Sequence, residues 1–163
     1  MRKSFTLALA AALALASAAA AYAATATSNF QVKIVISAQC LAATTNTLDF
    51  GTSGVLSANV DQTTTLSVQC TNTTPYNIGL DAGTGSGATV ATRKMTGGAA
   101  TINYSLYSDS GRTTVWGNTV GTNTVAATGN GAAQSYTVYG RVFAQTTPAP
   151  ATYTDTITVT VTY

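Results

Sequence analysis

The chain contains no histidine and no glutamate, and charged residues of any kind make up only 7% of its 163 positions. An average soluble protein carries roughly 25%. Without His there is no Ser-His-Asp or Cys-His arrangement and no imidazole to hold a metal. The five acids, Asp49, Asp61, Asp81, Asp109 and Asp155, stand singly along the chain, which argues against the paired carboxylates of a glycoside hydrolase. Seven Lys and Arg cannot build the basic surface that phosphate backbones require, so no nucleic-acid partner is expected. Neither a metal nor a small-molecule cofactor is expected, and the chain does not read as an enzyme.

Residues 1–23 have the layout of a cleavable signal peptide. Arg2 and Lys3 precede an apolar run from Phe5 to Ala16, and Ala21-Tyr22-Ala23 supplies the small-x-small cleavage pattern. The run is short for a membrane span of roughly 20 residues. Cleavage leaves 140 residues with five basic side chains against five Asp. A neutral surface lacks the self-repulsion that keeps molecules apart, which suits a subunit meant to assemble. Export also bears on Cys40 and Cys70, the only two cysteines. In an oxidising compartment they are expected to form one structural disulfide, since two Cys without His make a poor zinc set.

The mature chain reads as strand and turn. Thr occurs 33 times, and Val, Ile and Tyr are frequent while no stretch keeps a helical period. Phe30, Val32, Ile34 and Ile36 form the apolar side of an alternating segment; further strands are expected at 47–50, 63–70, 76–80, 102–107, 113–116 and 134–144. The cleanest is 154–163, where Ile157, Val159, Val161 and Tyr163 alternate with threonines. A loop is expected at 83–87, a turn at 108–111, and a loop or weak edge hairpin at 117–133. Short strands separated by turn signals predict an antiparallel β-sandwich.

Several motifs have plain structural readings. Gly83-Thr84-Gly85-Ser86-Gly87-Ala88 matches a dinucleotide fingerprint, but nothing after it can open the helix that the fingerprint needs. Asn72-Thr73-Thr74 and Asn103-Tyr104-Ser105 match glycosylation sequons that a Thr-rich chain produces by chance. Trp116, Tyr104, Tyr107, Tyr136 and Tyr139 could form a sugar-stacking platform, although core packing is the commoner role of such aromatics. The segment at 30–36 is either an ordinary strand or one supplied to the edge of a neighbouring molecule.

The order and spacing of several pieces resemble the spore coat protein U domain, which includes the pilins of archaic (Csu-type) chaperone–usher pili. These pieces are the signal peptide, the alternating segment, Cys40 just after it, Leu48-Asp49-Phe50-Gly51, Val68-Gln69-Cys70, Asn103-Tyr104-Ser105-Leu106-Tyr107, and the ending Tyr153-Thr154-Asp155-Thr156 through Val159-Thr160-Val161-Thr162-Tyr163. The resemblance implies an all-β, incomplete immunoglobulin-like sandwich (37–163) completed by a donor strand (24–36). It implies Phe30, Val32, Ile34 and Ile36 as donor plugs, a Cys40–Cys70 disulfide, and an acceptor groove lined by Ile157, Val159, Val161 and Tyr163, with the Tyr163 carboxylate gripped by a periplasmic chaperone. Its partners would be neighbouring copies of itself in a homopolymer, that chaperone, and an outer-membrane usher. The protein would pass through the periplasm to a cell-surface pilus serving adhesion and biofilm formation.

Only Ser37, Ala38 and Gln39 separate the plugs from Cys40, a reach of about 10 Å. Consecutive subunits are therefore expected to sit close in a stiff joint. With 140 residues for one domain, the chain is expected to be a repeating shaft subunit. The competing readings are a secreted spore or cell coat protein of the same fold and a soluble carbohydrate-binding sandwich.

Overall fold

The computed structural model describes residues 22–44 and 46–163. The chain divides into two units, 1–34 and 35–163. Residues 1–21, most of the expected signal peptide, lie outside the described residues. In the first unit, residues 22–34 form neither helix nor strand, and Phe30, Val32 and Ile34 are each more than four-fifths exposed. The strand expected at 30–36 is therefore not formed. Alternation marks which side chains share a face, but a strand also needs a partner for its N–H and C=O groups.

The second unit holds eight strands: β1 (Cys40–Thr44), β2 (Val60–Cys70), β3 (Pro75–Leu80), β4 (Arg93–Gly97), β5 (Ala100–Tyr107), β6 (Val125–Thr128), β7 (Ala133–Val142) and β8 (Val159–Thr162). No helix occurs among the described residues. A five-stranded sheet runs β1-β2-β7-β5-β4 and a three-stranded sheet runs β6-β3-β8. Every pairing is antiparallel. Leu66, Val68, Leu106, Val138 and Val142 from the large sheet share one buried core with Tyr76, Ile78 and Leu80 from the small one. The period-two pattern does this: Leu66, Val68 and Cys70 of β2 are buried, while between them Ser67 is half-buried and Gln69 exposed.

The edges depart from expectation. Residues 47–50 carry no strand, although Leu48 and Phe50 are half-buried and Thr47 and Asp49 exposed. The strand expected at 113–116 is reduced to a single bridge between Tyr107 and Val115. The final strand is shorter than its alternation, with Thr154 instead bridging Thr96 at the margin of β4. The neutral stretch 117–133 contains β6, which pairs with β3. Residues 83–87 form no strand or helix, with bends and turns at 84–87, as the loop reading requires.

The aromatic residues form no exposed platform. Trp116, Tyr104 and Tyr107 are buried, and the Trp116 indole donates to the carbonyl of Ile78 at 2.8 Å. Tyr136 and Tyr139 are half-buried. Cys40 and Cys70 face each other across the β1–β2 ladder and form a disulfide.

Candidate functional site

An apolar cleft of about 1210 Å³ opens between the sheets of the second unit. Its floor comprises core side chains, among them Leu66, Leu80, Met95, Ile102, Leu106 and Val138. One wall is residues 46–56; the other is residues 147–157 together with Val159 of β8.

The first wall is fastened at its ends and loose in its middle. The Thr64 hydroxyl donates to Asn46 O at 3.3 Å. At the far end, Leu56 N donates to the Thr147 hydroxyl at 2.8 Å, and Gln145 N donates to Leu56 O at 3.0 Å. Leu48 and Phe50 point inward over Gly140, where a Cβ would lie 2.5 Å from Leu48 Cδ2, so any larger residue would push the wall outward. Phe50 also meets the Tyr104 ring edge-on, with centroids 6.3 Å apart. Between these anchors, residues 47–55 make no backbone–backbone hydrogen bond among the described residues.

The opposite wall is half-paired. β8 bonds to β3 through Asn77–Thr162 to Leu80–Val159, and it is hydrogen-bonded to no second strand among the described residues. Ile157, Val159 and Val161 are half-buried against the core. Tyr163 differs: it is 60% exposed and lies past the end of β8. It borders a second, smaller hollow of about 390 Å³ with Ile36–Ala38 and Thr71–Pro75.

Two aspartates hold the approach to β8 in place. Asp155 Oδ1 accepts from the Thr84 amide, the Thr84 hydroxyl and the Thr156 amide, each at 2.8 Å. Its Oδ2 accepts from the Tyr104 phenol at 2.7 Å. Gly83, at φ +79°, passes so close to this carboxylate that a Cβ would collide with it. Asp81 Oδ1 accepts from Gly83 N and Thr158 N, both at 3.0 Å. Burial, with the bond to Asp155 second, pushes the Tyr104 phenol well above its ordinary range. Burial opposes ionisation of Asp81, but the bonds from Thr158 and Gly83 outweigh it and hold the carboxyl below its usual range. The sequence showed Asp81 and Asp155 only as isolated acids; the Gly83-Thr84 turn was the one local sign that something must approach closely.

These shifts fix a pH dependence. Asp61 is also held low, chiefly by the hydrogen bonds from Arg141. A carboxyl whose folded pKa is depressed contributes stability that is complete above its unfolded pKa, about 3.9, and is lost as pH falls through the folded value. With no His or Glu and both cysteines bridged, no side chain titrates between the Asp and Tyr ranges. The melting temperature should be flat from about pH 5 to 9 and fall below about pH 4. A step near pH 6.5 in a thermal-shift series would contradict this.

The Spore Coat Protein U domain family matches residues 26–160. Protein U of Myxococcus xanthus is 36% identical over 129 residues, covering 72% of this chain and 72% of that protein. Among solved structures, the fold is similar to a chain of the CsuC–CsuE chaperone–tip adhesion subunit pre-assembly complex from archaic chaperone–usher Csu pili of Acinetobacter baumannii. That similarity has a TM-score of 0.56 at 24% identity over 77% of this chain. It spans only 40% of the solved chain and is a likeness of fold. From residue 26 to residue 160, this chain belongs to the Spore Coat Protein U domain family, whose members are structural proteins and not enzymes.

Proposed function

We propose that the protein is a structural subunit of a cell-surface pilus, assembled by donor-strand exchange through a chaperone–usher pathway. The observation that carries this reading is the cleft, whose two walls both present unpaired backbone over an apolar floor. One inserted strand would hydrogen-bond to β8 on one side and to residues 47–55 on the other. The chain itself carries a suitable insert in Phe30, Val32, Ile34 and Ile36, all exposed. Burying four such side chains in a neighbouring copy is worth on the order of 6–12 kcal/mol before ordering costs.

In this reading a periplasmic chaperone fills the cleft first, and an outer-membrane usher exchanges its strand for that of the next subunit. The fibre then serves attachment and biofilm formation at the cell surface. A secreted coat protein of the same fold is the second reading, favoured by the 36% identity to Protein U.

Size-exclusion chromatography with light scattering, on the mature chain and its Ile34→Asp variant, tests the polymerisation. The wild type should form heat-resistant polymers or require a co-expressed chaperone, and the substitution should stop polymer growth. Stable, chaperone-free monomers in both cases would sink donor-strand exchange.

A further inference from the structure

We propose that Lys33 of one copy pairs with Asp49 of the next and fixes the register in which residues 30–36 enter the cleft. This rests on the donor-strand reading above. Among the described residues, the other charged side chains after residue 23 are occupied. Asp61 takes Arg141 and Arg112, Asp81 and Asp155 hold the approach to β8, and Asp109 accepts from Thr113 and Thr114. Arg93 is buried among carbonyls, and Lys94 donates to Ser86 O. Among the described residues Lys33 makes no side-chain hydrogen bond or ion pair, and Asp49 accepts only from Gly51 N at 2.8 Å.

Position makes these two complementary. Lys33 is the sole charge between residues 24 and 39, and Asp49 the sole charge between 46 and 56. With Phe30, Val32, Ile34 and Ile36 inward, Gln31, Lys33 and Val35 face outward, because side chains alternate along a strand. The 46–51 wall has the same alternation, Leu48 and Phe50 inward and Thr47 and Asp49 outward. On the other side, the outward row is Thr156, Thr158, Thr160 and Thr162, all exposed and uncharged. A one-residue slip would turn every plug to solvent. A two-residue slip, about 6.6 Å along the strand, would keep the plugs inward and exchange Val32, Ile34 and Ile36 among similar pockets. Apolar packing discriminates weakly against that slip; an ion pair across the outer row discriminates against it directly.

The test is a double-mutant cycle on polymers of the mature chain, with Lys33→Gln and Asp49→Asn, the Asn keeping an oxygen for Gly51 N. The readout is the rate of polymer dissociation in mild denaturant. In low salt each single change should speed dissociation by roughly 2–5-fold, and the double change should be no faster than either alone. The swap Lys33→Glu with Asp49→Lys should dissociate more slowly than either reversal by itself. In 1 M NaCl, where the Debye length is about 3 Å, the differences should vanish. Polymers that depend on Ile34 but are indifferent to positions 33 and 49, or that respond additively, overturn the pairing and leave donor-strand exchange standing. A wild type that is a stable monomer without any chaperone overturns both.

Discussion

Arg93→Ala is expected to destabilise the sandwich by about 3–5 kcal/mol, a large part of the roughly 5–15 kcal/mol that holds a domain folded. The side chain is completely buried, yet no carboxylate forms an ion pair with it among the described residues. Its guanidinium is held by four carbonyls instead. Nε donates to Asp81 O at 2.7 Å and Nη1 to Val90 O at 2.8 Å. Nη2 donates to Leu80 O at 3.0 Å and Trp116 O at 2.7 Å. Those acceptors lie at the end of β3, in the 81–92 loop and beside the buried tryptophan, while Arg93 itself begins β4. One side chain thus joins the large sheet to the small one.

Only a planar fork with several fixed donors can serve four acceptors at once. Burial lowers the Arg93 pKa, against the pull of Tyr104, Asp81 and Asp155, but a guanidinium remains protonated at any physiological pH. Arg93→Lys should therefore fall between wild type and Ala, because an ammonium keeps the charge and loses the fork. Arg93→Met restores volume but leaves the carbonyls unpaired, and should resemble Ala. Denaturant unfolding of the mature chain reads this as a lower midpoint at unchanged slope. A loss under 1 kcal/mol for Arg93→Ala would mean that water replaces the guanidinium at little cost.

The strands were legible wherever alternation coincided with a partner. Residues 63–70, 76–80 and 102–107 pair and bury the expected faces, and 134–144 does so as far as Val142, where β7 ends. Residues 30–36 and 47–50 alternate just as clearly but form no ladder among the described residues, because the pattern of side chains says nothing about who supplies the neighbouring backbone. β6 was hidden for the opposite reason, since Val125-Ala126-Ala127-Thr128 shows little contrast between its faces. For the site, the half-buried residues of the last strand were readable. The first wall was signalled only by Leu48 and Phe50, and the Arg93, Asp81 and Asp155 bonds were invisible. Each of those three joins segments distant in sequence, and an Arg between Ala-Thr and Lys94 carries no mark of burial.

Replacing both cysteines, Cys40→Ala with Cys70→Ala, is expected to cost about 3–4 kcal/mol, the value of closing a loop of 30 residues on the chain-entropy account. The loss should show first at β1. That strand is five residues long and pairs only with β2. Beside the bridge it has Thr71 N donating to Gln39 O at 2.9 Å and Gln39 N donating to the Thr71 hydroxyl at 3.1 Å. Without the disulfide these contacts are an edge ladder open to fraying, and β1 amides should exchange with solvent well before those of β2 and β7. In a polymer the consequence is larger. The plugs at 30–36 join Cys40 through three residues, so tension on a donated strand reaches the sandwich at Cys40. The bridge passes it to Cys70 at the end of β2, which is laddered to β7 over ten residue pairs, where rupture requires many bonds to break together. Without the bridge the same tension peels β1 one pair at a time. Polymers of the cysteine-free chain, or of the wild type under reductant, should therefore shorten under shear that leaves oxidised polymers intact. Equal lengths after shear would show that β1 bears the load without its covalent anchor.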